Sequence, residues 1–128
     1  VHEVNKIVSE IPLNTAIVNF IRQNSDRCYI VTGNLDVWIS GLMKKIGMEN
    51  HCYCSKADVV NDHIAKIVSV ADKELIVRQF VQQMVTVGDG DNDSGMARMA
   101  EIAPSLIRNI DFAFYDDRRC ADFLWKLL

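Results

Sequence analysis

Val85-Thr86-Val87-Gly88-Asp89-Gly90-Asp91-Asn92-Asp93-Ser94-Gly95-Met96 runs from three apolar or β-branched residues straight into a loop of glycines and acids. A helix-forming segment, Met96–Glu101, follows at once. A short apolar run closed by turn residues reads as a buried strand ending in a loop. Glycines at 88 and 90 allow a tight turn and a close approach that a Cβ would obstruct. Asp89, Asp91 and Asp93, with the amide of Asn92, crowd into five residues, and such a group cannot all be buried without a strong counter-charge. Oxygen ligands at a strand tip suit a hard cation such as Mg²⁺. Asp, Asn and Gly are also the ordinary turn formers. It is the placement between a buried strand and a helix that points to function.

Outward from that loop, helical and strand patterns alternate. Val1–Glu10 has apolar residues at 1, 4, 7 and 8, a helix-like spacing that ends at Ile11-Pro12. Leu13–Gln23 predicts an amphipathic helix, and Cys28–Thr32 a short buried strand broken by Gly33-Asn34. Leu35–Ile46 resumes helical spacing up to Gly47, a natural C-terminal cap. His51–Ser55 predicts a second strand, and Ala57–Val60 with Ile64–Val70 a hairpin turning at Asn61-Asp62. Asp72–Gln82 predicts a helix, Met84–Val87 the central strand, and Asp93–Ile102 a helix stopped by Pro104. Ser105–Leu106 and Ala113–Tyr115 predict short strands before a closing helix, Asp117–Leu128. This order predicts one domain over residues 1–128, a three-layer α/β/α sandwich with a mostly parallel, Rossmann-like sheet. In open sheets of that class the functional crevice lies beyond the carboxyl ends of the strands. If the strands ending at Thr32 and Gly88 are parallel neighbours, both polar loops open on one edge.

Composition narrows the function. The chain has 128 residues, 49% hydrophobic and 24% charged, with a net charge of -3. Lys and Arg are scattered, which argues against nucleic-acid binding. No apolar run approaches a membrane span, and Val1–Glu10 lacks the basic start and apolar block of a signal peptide. A cytoplasmic protein is the expectation. Cys52-x-Cys54 is not a zinc-knuckle spacing, so Cys28, Cys52, Cys54 and Cys120 read as buried free thiols. Met43, Met48, Met84, Met96 and Met99 read as core filler, Trp38 and Trp125 as packing, and Asp36 and Asp91 as solvated or capping residues.

Together these residues resemble the haloacid dehalogenase (HAD) superfamily, in its phosphoserine-phosphatase-like branch. Gly88–Asp93 matches the family's Gly-Asp-Gly-x-Asn-Asp motif letter for letter. Ile30-Val31-Thr32-Gly33-Asn34 resembles the motif of a strand ending in Thr or Ser, and Lys73 in Asp72-Lys73-Glu74-Leu75 the motif lysine at a helix start. The resemblance covers about Pro12 to Asn109 and implies a Mg²⁺-dependent phosphomonoester hydrolase working through an aspartyl-phosphate, with little or no cap domain. It makes Lys73, Asp89 and Asp93 the catalytic residues and Asp89 and Asp93 the metal residues, with Asp93 bracing the metal's water shell or Lys73. Thr32, Gly33, Asn34, Lys73 and Asn92 become the substrate-binding set. Phosphoryl transfer depends largely on positioning and electrostatic stabilisation. In that chemistry the Thr32 hydroxyl and the Gly33 N–H would meet phosphate oxygens, and Lys73 would supply fixed positive charge.

One motif of the family is not matched. Its Asp-x-Asp, which supplies the nucleophile and the general acid/base, closes a first strand, yet no Asp stands before Asp26. Either a first core strand is absent from these residues, or the chain is a catalytically silent relative keeping a phosphate and Mg²⁺ pocket for regulation or interaction. Loss of a central strand would expose two sheet edges and favour self-association. A Ca²⁺ loop built on Asp89, Asp91 and Asp93 fits poorly. Ser94 precedes Gly95, and Ala100 stands where such a loop needs its Glu.

Overall fold

A computed structural model describes residues 1–80, 83–88, 93–103, 105, 107–111 and 117–127. Over these the chain is mixed α/β, with six helices and two small sheets, each containing a parallel pair. It divides into two compact units, Val1–Asn14 with Ile21–Asp72, and Thr15–Phe20 with Lys73–Leu128.

The first unit opens with helix α1 (His2–Ser9). After α2 (Thr15–Gln23), whose end joins this unit, come β1 (Ile30–Leu35), α3 (Asp36–Ile46), β2 (Cys52–Val60) and β3 (His63–Ser69). β2 lies between β1, which it pairs in parallel, and β3, which it pairs antiparallel. Ile39, Met43 and Ile46 are buried along one stripe of α3, the spacing that lets a helix cover a sheet, and Leu35 at the end of β1 is buried ahead of them. Gly47 ends α3 at φ +74°, where glycine carries no Cβ penalty. The α1 contact with α3 is polar: none of the residues of α1 is buried. Asn5 donates from Nδ2 to Val37 O at 2.9 Å and Ser40 Oγ at 2.6 Å, and its Oδ1 accepts the Gly41 N–H at 3.0 Å. The apolar spacing of Val1–Glu10 therefore identifies a helix but not the face it docks, and Ile7 stays exposed.

The expected strand over Cys28–Thr32 begins later and runs further. Gly33-Asn34 does not end it, because Val31 pairs with Tyr53 and Leu35 with Ser55, so Thr32–Asn34 bulge from a ladder that then closes again. Likewise His51–Ser55 and Ala57–Val60 form one strand, β2, with a register shift between Lys56 and Ala57. Ser55 is buried at that shift, and its Oγ accepts the Ala71 N–H at 2.9 Å. Asp36 acts nearby as a fastening: Oδ1 accepts the N–H of Val37 at 2.9 Å and of Ala57, on β2, at 3.2 Å. The hairpin turns where its sequence predicts. Asn61 and Asp62 take positive φ, 50° and 62°, the pair of left-handed residues that a tight hairpin requires.

The second unit holds the first part of α2, α4 (Lys73–Arg78), β4 (Met84–Gly88), α5 (Ser94–Ile102), β5 (Ile107–Asp111) and α6 (Asp117–Leu127). β4 and β5 pair in parallel, Met84 with Ile107 through Gly88 with Asp111, as a strand–helix–strand crossover permits. Thr86 is buried on β4, and its hydroxyl donates to Asn109 Oδ1 at 2.7 Å, so the polar atom is satisfied. Val18, Phe20, Ile76, Val77, Met96, Met99, Ile107, Cys120 and Ala121 are buried here. Phe20 meets Trp125 edge to face, centroids 5.0 Å apart. The expected strand at Ser105–Leu106 is corrected to Ile107–Asp111, while Pro104, Leu106 and Ala113–Tyr115 lie outside the described residues.

The strand that carries Thr32 pairs with β2, and the strand that ends at Gly88 pairs with β5. A further expectation changes. Cys120 is fully buried, whereas Cys28, Cys52 and Cys54 are only partly covered, all four being free thiols. No helix among the described residues is long and apolar enough to cross a membrane.

Candidate active site

β4 delivers the chain to Gly88, and α5 takes it up again after Asp93. Between them Asp89, Gly90, Asp91 and Asn92 lie outside the described residues, so the expected metal residue Asp89 and substrate residue Asn92 have no structural account. The two ends of the loop do. Lys73 is the first residue of α4, and Asp93 immediately precedes α5. Packing of α4 on α5 brings together these residues, 20 positions apart, and Lys73 Nζ donates a charge-assisted hydrogen bond to Asp93 Oδ1. Their side chains are only 12% and 16% exposed.

Local electrostatics explain why the pair belongs together. A carboxylate is favoured at a helix N-terminus and a cation is not. Asp93 thus suits its place before α5, while Lys73 opposes the polarity of α4 and gains its compensation from Asp93. Gly88 makes room for this arrangement. A Cβ placed there would lie 2.6 Å from Cβ, Cγ and Oδ2 of Asp93, so the side chain of Asp93 folds back over a bare stretch of backbone at the strand end.

Beside Lys73, Glu74 ties α4 to α5. Its carboxylate receives Arg78 at 2.9 Å within α4 and Arg98, from α5, at 2.5 Å on both oxygens. The Arg98 hydrogen bond, followed by the charges of Arg98 and Arg78, holds the Glu74 carboxyl below the usual glutamate range. The i, i+4 spacing of Glu74 and Arg78 was available in the sequence. The Arg98 contact, 24 positions away, had no such signal.

A carboxyl whose pKa is lower folded than unfolded stabilises the fold above its unfolded value, near 4.3 for Glu, and loses that contribution as pH falls. Urea midpoints of the parent chain and Glu74→Gln should therefore differ at pH 7 and converge as pH drops below that value. A gap independent of pH would mean that the contribution of Glu74 is not ionic.

Thr32, Gly33 and Asn34 belong to the first unit. Thr32 is half-buried and its Oγ1 accepts the Asn34 N–H at 3.1 Å; Gly33 and Asn34 are exposed. The space beside Gly33 is open, with no heavy atom within 4 Å of a Cβ built there. Among the described residues no group of three or more His, Cys, Asp or Glu side chains is placed to hold a metal ion. Asp93 offers one carboxylate, with Oδ1 engaged by Lys73. A carboxylate is one of the oxygen ligands that Mg²⁺ accepts, beside water and phosphate oxygens. Neither a scan against protein-family models nor a search of curated proteins finds a match to this chain.

Proposed function

We propose that the chain carries the phosphate- and cation-handling part of a Mg²⁺-dependent phosphomonoester hydrolase of the haloacid dehalogenase type, which acts through an aspartyl-phosphate. The observation that supports this reading is the Lys73–Asp93 pair. Two residues assigned to separate motifs meet beside the end of β4, in a setting sheltered from water. The reading carries with it a three-layer α/β/α fold with little or no cap, a cytoplasmic setting and a phosphorylated small molecule or other phosphomonoester as substrate.

Lys73 presents fixed positive charge to the phosphoryl oxygens, where charge spreads in the transition state. Asp93 fixes the position of that ammonium group. The hydroxyl of Thr32 and the N–H of Gly33, in the first unit, are assigned to phosphate oxygens by the resemblance alone, as Asn34 and Asn92 are to substrate contact. Asp89 and Asp93 would hold Mg²⁺, which when bound neutralises charge on the phosphoryl oxygens. The attacking carboxylate is not assigned to any of the 128 residues, since no Asp precedes Asp26.

Hydrolysis of 4-nitrophenyl phosphate, with and without Mg²⁺, tests the proposal on this chain and on one carrying whatever its gene encodes upstream of Val1. Mg²⁺-dependent turnover that is lost in Lys73→Met and Asp89→Asn is the expected result. Binding of inorganic phosphate with Mg²⁺ but no turnover by either chain would mark a catalytically silent relative. Neither binding nor turnover would overturn the assignment.

A further inference from the structure

β2 opens with Cys52-Tyr53-Cys54. Alternate residues of a strand face the same side, and both thiols line a groove of about 630 Å³ in the first unit, bordered by α1, α3 and the start of β2. Cys54 is close enough to act electrostatically on Cys52. A rise of about 3.3 Å per residue sets their Cα atoms roughly 6.6 Å apart, near the upper limit for a disulfide and beyond its preferred span. An extended strand therefore keeps this pair as a dithiol, whose sulfurs a bridging atom would join without bending the backbone.

The pair has no third partner of the usual metal-ligating types grouped with it among the described residues. Zn²⁺ would need a fuller shell, typically four ligands. Soft thiolates select Cu(I), which is content with two. We propose that Cys52 and Cys54 form a two-sulfur site for a soft monovalent cation of the Cu(I) class, opening into the α1–α3 groove. This proposal is independent of the phosphatase reading. Binding converts two thiols and Cu⁺ into a bis-thiolate complex of charge −1 and two released protons, with no change of oxidation state.

Cations are at hand: Lys56, two residues beyond Cys54 on β2, acts on Cys52, and Lys6 and Lys44 line the same groove. Glu10, Asp36 and Glu49 also border it, so the groove carries three charges of each sign. Burial, then the neighbouring Cys54, pushes the Cys52 thiol up to about 11 against the opposing pull of Lys56. The thiol consequently stays protonated and a poor nucleophile near neutral pH until a cation displaces the proton.

The test is competition for Cu(I) buffered by bicinchoninate under reducing, anaerobic conditions. The folded chain should withdraw one Cu(I) per molecule. Cys52→Ser and Cys54→Ser should each abolish the withdrawal, and Cys28→Ser should leave it intact, with circular dichroism verifying that each variant is folded. X-ray absorption of the Cu(I)-loaded parent chain, which needs no variant, should show two sulfur neighbours. No withdrawal by the parent chain, retention by either serine variant, loss in folded Cys28→Ser, or a nitrogen neighbour at copper would each overturn the site.

Discussion

Asp93→Ala is expected to destabilise the chain by about 3 kcal/mol, and Lys73→Met by less. Breaking a buried ion pair costs roughly 3–5 kcal/mol, because the surviving charge keeps its desolvation without its partner. The lower end applies here, since both side chains retain a rim of exposure, 12% and 16%. The asymmetry follows from position. Asp93→Ala strands an ammonium group at the N-terminal end of α4, where the helix dipole already disfavours it. Lys73→Met strands a carboxylate at the start of α5, where the dipole favours it. The double variant Lys73→Met/Asp93→Ala should cost clearly less than the sum of the two, the coupling expected of groups in direct contact. Urea unfolding of all four chains measures this. Single costs below about 1 kcal/mol that simply add would place the pair among solvated surface contacts, and the claim of a sheltered, positioned lysine would fall with them.

What the sequence discloses about this region depends on how local the cause is. Met84–Val87 is read correctly as a strand because its apolar residues are consecutive, and the observed strand merely extends to Gly88. Gly47 as a helix cap and Asn61-Asp62 as a turn are likewise local decisions, made by the backbone preferences of one or two residues. β5 leaves no strand signal because Ile107-Arg108-Asn109-Ile110-Asp111 carries neither an apolar run nor regular alternation. Its strand state is imposed by the ladder to β4 and by the bond between Thr86 and Asn109. β1 continues past Gly33-Asn34 for a similar reason: Leu35 regains its partner Ser55 after the bulge, and that compensation lies 20 residues away.

The candidate site divides along the same line. Lys73 and Asp93 were singled out by motif and meet in the fold. Glu74 and Arg98, which brace the two helices carrying them, were passed over, because an ion pair between separate helices leaves no spacing to read. The cysteines show the converse. Their spacing is not that of a zinc motif, and only the placement of Cys52 and Cys54 on one groove-facing side of β2 gives the pair chemical meaning.

Gly88→Ala should separate the two roles of the strand end. The new methyl would stand 2.6 Å from three atoms of Asp93, far inside van der Waals contact, so either Asp93 or the backbone at the start of the loop must move. Forced overpacking of this kind costs about 1–3 kcal/mol, but its consequence is more specific than lost stability. Displacing Asp93 draws its carboxylate from Lys73, so Gly88→Ala should imitate part of Asp93→Ala while leaving every charge in place. The mutational cycle distinguishes this from a general loss of packing. In a Gly88→Ala background, Asp93→Ala should cost less than it does alone, because the contact it removes is already weakened and the clash with Cγ and Oδ2 is relieved, while the one with Cβ of residue 93 stays. Full additivity would mean that the strand end yields while the pair survives, and that Gly88 serves the loop rather than Asp93. Sub-additivity would assign the first glycine of Gly-Asp-Gly to the lysine–aspartate contact: a residue with no side chain, required because another side chain occupies its place.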